Sequence, residues 1–70
     1  MNRKEIKMLG EKIKNYLNQN GIKQTYLAKI TGFSNSTISE ICLGNRKIEA
    51  SELYRICKAL NVPLDYFFEE

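Results

Sequence analysis

The sequence predicts an all-α fold, a compact bundle of five short helices forming a single domain over residues 1–70. Apolar residues recur at three- and four-residue spacing along most of the chain, and no segment alternates convincingly as a strand would. Gly, Asn and Ser residues separate these apolar patterns at positions typical of helix ends. No linker or second domain is expected in a chain of 70 residues.

Two helices are predicted in the first half of the chain. Helix 1 covers about Arg3–Gln19, and Gly21 suits the left-handed residue that ends a helix. Helix 2 covers about Gln24–Thr31. The residues expected to face inward are Ile6, Leu9, Ile13, Tyr16 and Leu17 on helix 1, and Leu27, Ala28 and Ile30 on helix 2.

Helix 3 covers about Asn35–Leu43 and follows a turn at Gly32-Phe33-Ser34. Ser34 is the expected N-cap, because its hydroxyl can accept from a free N–H of the first turn. Gly44 is the expected stop. The core-facing residues expected on this helix are Ile38, Ile41 and Cys42.

Helix 4 covers about Ala50–Leu60, where Glu49 and Glu52 in or near the first turn favour the helix dipole. Pro63 is expected to open helix 5, over Leu64–Phe68. The inward residues expected on helix 4 are Leu53, Ile56, Cys57 and Leu60.

The outward face of helix 3 carries short polar side chains at Asn35, Ser36 and Ser39, where a solvated helix usually carries Glu, Lys or Gln. Short side chains let a helix approach another surface closely, and Lys23 and Arg46-Lys47 flank this face with positive charge. Such an arrangement fits double-stranded DNA, with the helix reading base edges and the flanks holding phosphates. The alternative is a bundle whose third helix is merely polar.

The charge of the chain is uneven. The net charge is +3, but residues 1–47 contain nine Lys and Arg against three Asp and Glu, whereas residues 48–70 contain two against five. A basic front and an acidic back suit a polyanion bound on one side only. A solvated, lysine-rich surface is the alternative explanation.

The residue inventory argues against an enzyme and against any metal or cofactor site. The sequence has no His, no metal-ligand cluster, no phosphate-binding glycine loop and no nucleophile–base pair. Cys42 and Cys57 occupy apolar positions of helical patterns, which indicates buried free thiols in a reducing compartment. No signal peptide or membrane span is visible, so we expect a cytoplasmic protein with no membrane partner.

Residues 27–41, LAKITGFSNSTISEI, resemble the helix-turn-helix of the lambdoid phage repressor/Cro (XRE-type) family. The resemblance covers about residues 6–68 and implies a lambda-repressor-like DNA-binding domain of bacterial or phage origin, with the helix-turn-helix at 24–43. It also implies that Ala28 and Gly32 are small so that two helices cross closely. The residues that match the family pattern are Gln24, Leu27-Ala28, Gly32, Ser34 and Thr37-Ile38-Ser39.

This resemblance and the outward face of helix 3 together assign the DNA contacts. Asn35 has the geometry to pair with adenine, and Glu40 to accept from the cytosine amino group. The expected base-reading residues are Asn35, Ser36, Ser39 and Glu40. The expected phosphate-binding residues are Lys23, Gln24, Ser34, Thr37, Asn45, Arg46 and Lys47.

The chain departs from the family pattern at two kinds of position. The family often pairs an Arg near the end of helix 1 with a Glu near the end of helix 3, and Leu17 and Cys42 stand there instead. Because a matched apolar pair avoids the cost of burying two charges, we expect Leu17 and Cys42 to touch. Glu40 stands where a basic residue is common, which predicts lower non-specific affinity unless Glu40 points away from DNA.

The family usually binds palindromic operators as two-fold homodimers, with half-sites about 34 Å apart. In this chain the candidate dimer surface is the aromatic C-terminal segment. Its residues are Val62, Pro63, Leu64, Tyr66, Phe67 and Phe68. Alternatively, Leu64 and Phe67 complete the core while Tyr66 and Phe68 are half-exposed.

The sequence therefore predicts a sequence-specific transcriptional regulator, most simply a repressor that occludes a promoter. Because 70 residues leave no room for a sensor domain, regulation is expected to come from concentration, a regulatory protein partner or proteolysis. Two alternatives stay open. One is an antitoxin-type module that binds DNA and also neutralises a partner protein, and the other is a protein-interaction module without DNA binding.

Overall fold

A computed structural model describes the backbone of residues 3–68 and the side chains of residues 9–67. Its helices are α1 (Arg3–Gln19), α2 (Gln24–Thr31), α3 (Asn35–Leu43) and α4 (Ala50–Leu60), followed by a 3-10 helix at Tyr66–Phe68. The four predicted α-helices are confirmed with their bounds. The predicted fifth α-helix over Leu64–Phe68 is wrong, because Leu64 and Asp65 form a turn and only the last three residues are helical, in the tighter 3-10 form.

Local hydrogen bonds and two glycines set the ends of α1 and α3. Gly21 and Gly44 adopt the left-handed conformation, with φ angles of 66° and 75°. After α3, the Gly44 N–H donates to the Ile41 carbonyl at 3.1 Å, and the Asn45 N–H donates to the Glu40 carbonyl at 3.0 Å. These paired bonds satisfy the last carbonyls of α3. The predicted ends of α1, at Gly21, and of α3, at Gly44, are thus both confirmed.

The core is mostly aliphatic and draws on all four α-helices. α3 packs against α1 and α2, α2 also packs against α4, and the 3-10 helix packs against α1. Among the described side chains, the buried apolar ones are those of Leu9, Ile13, Leu17, Leu27, Ala28, Ile38, Ile41, Cys42, Ile48, Leu53, Ile56, Cys57 and Phe67. Tyr16 and Leu60, also expected to face inward, are half-buried, and the side chain of Ile6 lies outside the described residues.

The inward face of α2 differs from the prediction at Ile30, whose side chain is 39% exposed. The buried residues of this helix are Leu27, Ala28 and Thr31. At about 100° per residue, Ile30 lies roughly 60° beyond the edge of the stripe that these three residues form. An eight-residue helix makes only about two turns, so few residues define its inward face. The apolar character of Ile30 did not indicate that its side chain lies outside that face.

α1 and α3 cross closely at Gly10, which is buried. A Cβ atom added to Gly10 would lie 2.0 Å from the carbonyl oxygen of Ile41 and 3.3 Å from the backbone nitrogen of Gly44. Because backbone atoms cannot yield as a flexible side chain can, only glycine fits at this crossing. The seat of α3 on α1 therefore depends on the absence of a side chain at Gly10.

Leu17 and Cys42 stand where the XRE-type family often has an ion pair. Both lie in the core, where Leu17 is 1% and Cys42 2% exposed. Burial raises the pKa of the Cys42 thiol above its ordinary value of 9.0, and the nearby positive charge of Lys14 offsets only part of that rise. Cys42 is therefore a neutral, buried core residue. Direct contact between Leu17 and Cys42 stays a prediction.

An aromatic cluster holds the C-terminal segment against α1. The Phe67 ring is buried and meets the Tyr16 and Tyr66 rings edge to face, with ring centres 5.8 and 5.1 Å away. The Tyr16 and Tyr66 rings are themselves 5.5 Å apart in the same geometry. Each such pair contributes about 0.5–1.5 kcal/mol beyond the burial of its surface. This packing explains why the segment folds back as a short 3-10 turn rather than continuing as an α-helix.

Candidate nucleic-acid interface

The outward face of α3 is polar and slightly concave. Asn35, Ser36 and Glu40 are exposed and Ser39 is half-buried, and together these four side chains line one shallow groove. The opposite face of the helix carries buried isoleucines that seat it on the core. The structure thus brings all four predicted base-reading residues together on one accessible surface.

The N-terminus of α3 is capped by Ser34, as predicted. The Ser34 Oγ accepts a hydrogen bond from the Thr37 N–H at 3.1 Å, and its hydroxyl donates to the Thr37 Oγ1 at 2.9 Å. The first turn of α3 contains no acidic residue. No carboxylate therefore neutralises the positive end of the helix dipole in this turn. This favours an anion beside Ser34 and Thr37, both predicted to bind phosphate.

The N-terminus of α2 forms a second polar edge. Lys23 is exposed and Gln24 is half-buried, and both line a groove together with Asn18 and Thr25. The first turn of α2 is also free of acidic residues. A helix N-terminus without nearby acidic residues favours an anion. Phosphate binding by Lys23 and Gln24 stays a prediction.

The loop after α3 is tied to α4 by the carboxylate of Glu52. Arg46 Nη2 donates to Glu52 Oε2 at 2.7 Å, and the Glu49 N–H donates to Glu52 Oε1 at 2.9 Å. Arg46 is consequently half-buried, whereas Asn45 and Lys47 are exposed. Of the three phosphate-binding residues predicted in this loop, Arg46 already has a carboxylate partner within the protein.

Arg55, on α4, contacts the turn of the helix-turn-helix, a contact that the sequence did not predict. Its Nη2 donates to the carbonyl oxygen of Thr31, and its Cζ lies 4.2 Å from the centre of the Phe33 ring. The buried Thr31 hydroxyl in turn donates to the Leu27 carbonyl at 2.7 Å. Arg55 is 24 residues from Thr31 in sequence, so no local pattern links them.

Gly32 lies at the centre of this turn and has a φ angle of 82°. A Cβ atom at Gly32 would lie 2.8 Å from Arg55 Nη2. The glycine therefore supplies the left-handed conformation that ends α2 and leaves room for the guanidinium group. The expectation that Gly32 is small so that α2 and α3 can cross is corrected, because the atom that a side chain would meet belongs to α4.

The predicted dimer surface divides into exposed and buried parts. Leu64 and Tyr66 are 57% and 42% exposed, Pro63 is exposed, and Val62 is half-buried. Phe67 is corrected to a core residue, 3% exposed. The side chain of Phe68 lies outside the described residues. A groove next to this surface is lined by Tyr54, Cys57, Lys58, Asn61, Val62 and Leu64.

A family model described as helix-turn-helix matches residues 13–67, from the middle of α1 to the 3-10 helix. The chain belongs to this helix-turn-helix family. The resemblance to the XRE-type pattern is thereby confirmed over most of the chain. In DNA-binding helix-turn-helix proteins the second helix of the unit lies in the major groove. In this chain the second helix of the unit is α3.

One curated relative is the "uncharacterized transcriptional regulator in ATPase CF(0) region" of Rhodospirillum rubrum, 45% identical over 49 residues. The aligned part is 70% of this chain, and the chain spans 45% of the length of that relative.

Two solved structures are similar in fold. The restriction-modification controller protein C.AhdI from Aeromonas hydrophila has a TM-score of 0.87 at 19% identity, covering 91% of this chain and 97% of that chain. The clp gene regulator ClgR from C. glutamicum has a TM-score of 0.83 at 21% identity, covering 89% and 80%. At these identities the likeness shows the fold.

No helix in the described part of this chain is long and apolar enough to cross a membrane.

Proposed function

We propose that this protein is a sequence-specific DNA-binding transcriptional regulator that reads the major groove with α3. The observation that carries this proposal is the exposed groove of Asn35, Ser36, Ser39 and Glu40 on a helix whose other face is buried. Membership of the helix-turn-helix family and a relative described as a transcriptional regulator support it. A regulator of this kind acts where the chromosome is, in the bacterial cytoplasm.

Each part of the interface has a distinct role in this proposal. Asn35 pairs with adenine and Glu40 accepts from the amino group of cytosine. Phosphates on one side are held by the N-termini of α2 and α3, and phosphates on the other side by the loop after α3. Lys47 is the exposed cation of that loop, because Arg46 is bonded to Glu52.

The regulator acts most simply as a repressor that occludes a promoter. A homodimer that binds a palindromic operator places two α3 helices in successive major grooves, about 34 Å apart along one face of the DNA. The exposed Leu64 and Tyr66 supply the apolar surface for such a dimer.

A salt series tests DNA binding. The wild-type protein first selects a duplex from a random-sequence pool. The affinity of the protein for this selected duplex and for an unrelated duplex is then measured between about 50 and 200 mM salt, the range over which phosphate contacts change the affinity strongly. We expect the logarithm of the affinity to fall linearly with the logarithm of salt concentration, with a slope of about −0.9 per phosphate contacted.

Two alanine variants separate the predicted roles. Lys47→Ala is expected to weaken binding to both duplexes equally and to reduce the salt slope by about 1. Asn35→Ala is expected to cost about 1–3 kcal/mol at the selected duplex and to relax preference at one base pair. Equal effects of both variants on both duplexes would contradict base reading by α3. Selection of no sequence, with binding insensitive to salt, would favour a protein-interaction module instead.

A further inference from the structure

The turn between α2 and α3 is held from outside by one side chain of α4. Arg55 Nη2 donates to the Thr31 carbonyl at the C-terminal end of α2, and Arg55 Cζ lies over the Phe33 ring, 4.2 Å from the ring centre. We propose that Arg55 is a positioning residue for DNA recognition, which sets the orientation of α3 by holding this turn. The inference rests on the proposed DNA-binding function.

The Thr31 carbonyl lies in the last turn of α2, where helix carbonyls lack a partner within the helix. A cationic donor is favoured at this negative end of the helix dipole. The Phe33 ring lies two residues further on, so that a single guanidinium group spans the turn from one side to the other. Gly32, between them, leaves the space that the group occupies.

A small movement of this turn has a large effect at the DNA surface. α3 has nine residues and is therefore about 13 Å long. A rotation of about 10° at the turn would move the far end of the helix by about 2 Å. Base contacts tolerate displacements of only about 0.5 Å, whereas flexible lysines adapt to phosphates. Arg55 should therefore affect discrimination between sequences more than non-specific affinity.

The contact requires a guanidinium group rather than a positive charge alone. A planar guanidinium can donate to a carbonyl while its face lies on an aromatic ring, and an ammonium group has no such face. The Arg55→Lys substitution would thus keep the charge and lose the geometry. This difference separates a positioning role from a direct phosphate contact, which lysine would maintain.

The test measures the affinities of Arg55→Ala, Arg55→Lys and Phe33→Leu for the selected duplex and for an unrelated duplex. Lys58→Ala is the matched control, because Lys58 is an exposed cation on α4 that faces Tyr54, 5.8 Å from the centre of that ring. We expect both Arg55 variants to lose about tenfold at the selected duplex, the effect of roughly one base contact. At the unrelated duplex we expect less than about a twofold change and an unaltered salt slope.

Phe33→Leu should also lose affinity for the selected duplex and change little at the unrelated duplex. Lys58→Ala should keep the wild-type ratio of the two affinities. Circular dichroism establishes that each variant is folded, and if Arg55→Ala is not folded the Arg55→Lys and Phe33→Leu variants decide the question. Full selectivity in Arg55→Lys, or a salt slope reduced by about 0.9 in Arg55→Ala, would overturn the proposal in favour of a phosphate contact. If the wild-type protein selects no sequence, the proposed function fails, whereas a selected duplex bound normally by Arg55→Lys contradicts only the role of Arg55.

Discussion

At the scale of single residues, position 10 leaves no room for a side chain. The Cβ atom of an alanine would overlap the carbonyl oxygen of Ile41, 2.0 Å away, so α1 and α3 would have to separate. In an exposed helix the same substitution stabilises by about 0.5–1 kcal/mol. We expect Gly10→Ala to lower the free energy of unfolding by about 2 kcal/mol or more, measured by denaturant titration.

Gly21→Ala is the control for this prediction. A Cβ atom at Gly21 would meet nothing within 4 Å, and the substitution introduces only the strain of a left-handed alanine at φ 66°. That strain costs about 1–2 kcal/mol. If Gly10→Ala were neutral or stabilising while Gly21→Ala had its expected cost, the close crossing of α1 and α3 would be contradicted.

The buried thiol of Cys42 predicts a loss of stability in alkali. Burial raises its pKa in the folded chain above 9.0, so the thiol of the unfolded chain ionises first as the pH rises. The unfolded state then binds fewer protons, and stability present below about pH 9 is lost as the pH rises through the folded-state pKa. We expect the free energy of unfolding to fall between pH 7.5 and 10 by more in the wild type than in Cys42→Val. An identical pH dependence in both proteins would show that Cys42 is not shielded from solvent.

At the scale of helices and loops, most of the fold follows from local signals. The ends of α3 were predictable because Ser34 and Gly44 bond to atoms within a few residues of themselves. The 3-10 segment was not, because its conformation depends on Tyr66 and Phe67 meeting Tyr16 about 50 residues earlier.

The candidate interface also has one part that local sequence patterns predict and another that they do not. The four residues of the α3 groove follow from helical periodicity, since one face of α3 is apolar and the other is not. The contacts of Arg46 and Arg55 do not follow from any local pattern, because they depend on which side of α4 faces the helix-turn-helix. Glu52 and Arg55 are three residues apart on α4 and therefore lie on the same side of it. Glu52 contacts the loop that follows α3, and Arg55 contacts the turn that precedes α3.

The pairing of Glu52 with Arg46 occupies the Arg46 guanidinium group within the protein. We expect Glu52→Gln to weaken this pair, to release Arg46 for a phosphate contact, and to raise affinity for unrelated DNA. The salt slope should steepen by about 0.9 if one phosphate contact is gained. Because the pair is partly buried and Glu52 also accepts from the Glu49 N–H, stability should fall by about 1 kcal/mol.

Glu49→Gln provides the matched comparison for Glu52→Gln. It removes the same charge from the start of the same helix and leaves the bond between Arg46 and Glu52 intact. If both variants raised non-specific affinity equally with no change in salt slope, the effect would be one of net charge. The pairing of Arg46 would then play no part in DNA binding.

At the scale of the whole molecule, the proposed DNA surface and the proposed dimer surface belong to different elements. α2, α3 and their flanking loops carry the first, and the segment after α4 carries the second. Among the described side chains of this C-terminal segment, Phe67 is buried in the core, whereas Leu64 and Tyr66 are exposed. A substitution in this segment can therefore test the proposed dimer contact without altering the helix-turn-helix.

Leu64 is the position at which to make that change. Its side chain is 57% exposed, whereas Tyr66 also packs on Tyr16, so Leu64→Glu should cost the folded monomer little. We expect the wild type to sediment at twice the chain mass of 8.1 kDa and Leu64→Glu at the chain mass itself. Affinity for a palindromic duplex should fall about 100-fold or more, because the second half-site is no longer bound intramolecularly.

Leu43→Glu is the control for Leu64→Glu in the sedimentation experiment without DNA. Leu43 is 54% exposed on α3, so its replacement introduces the same charge at an equally exposed leucine away from the C-terminal segment. We expect this variant to sediment as the wild type does, because a dimer formed through the tail leaves α3 free. A wild type that sediments at 8.1 kDa, or equal dissociation of both variants, would contradict a dimer built on the C-terminal segment. In the second case the added negative charge, and not the loss of an apolar contact at Leu64, would account for the dissociation.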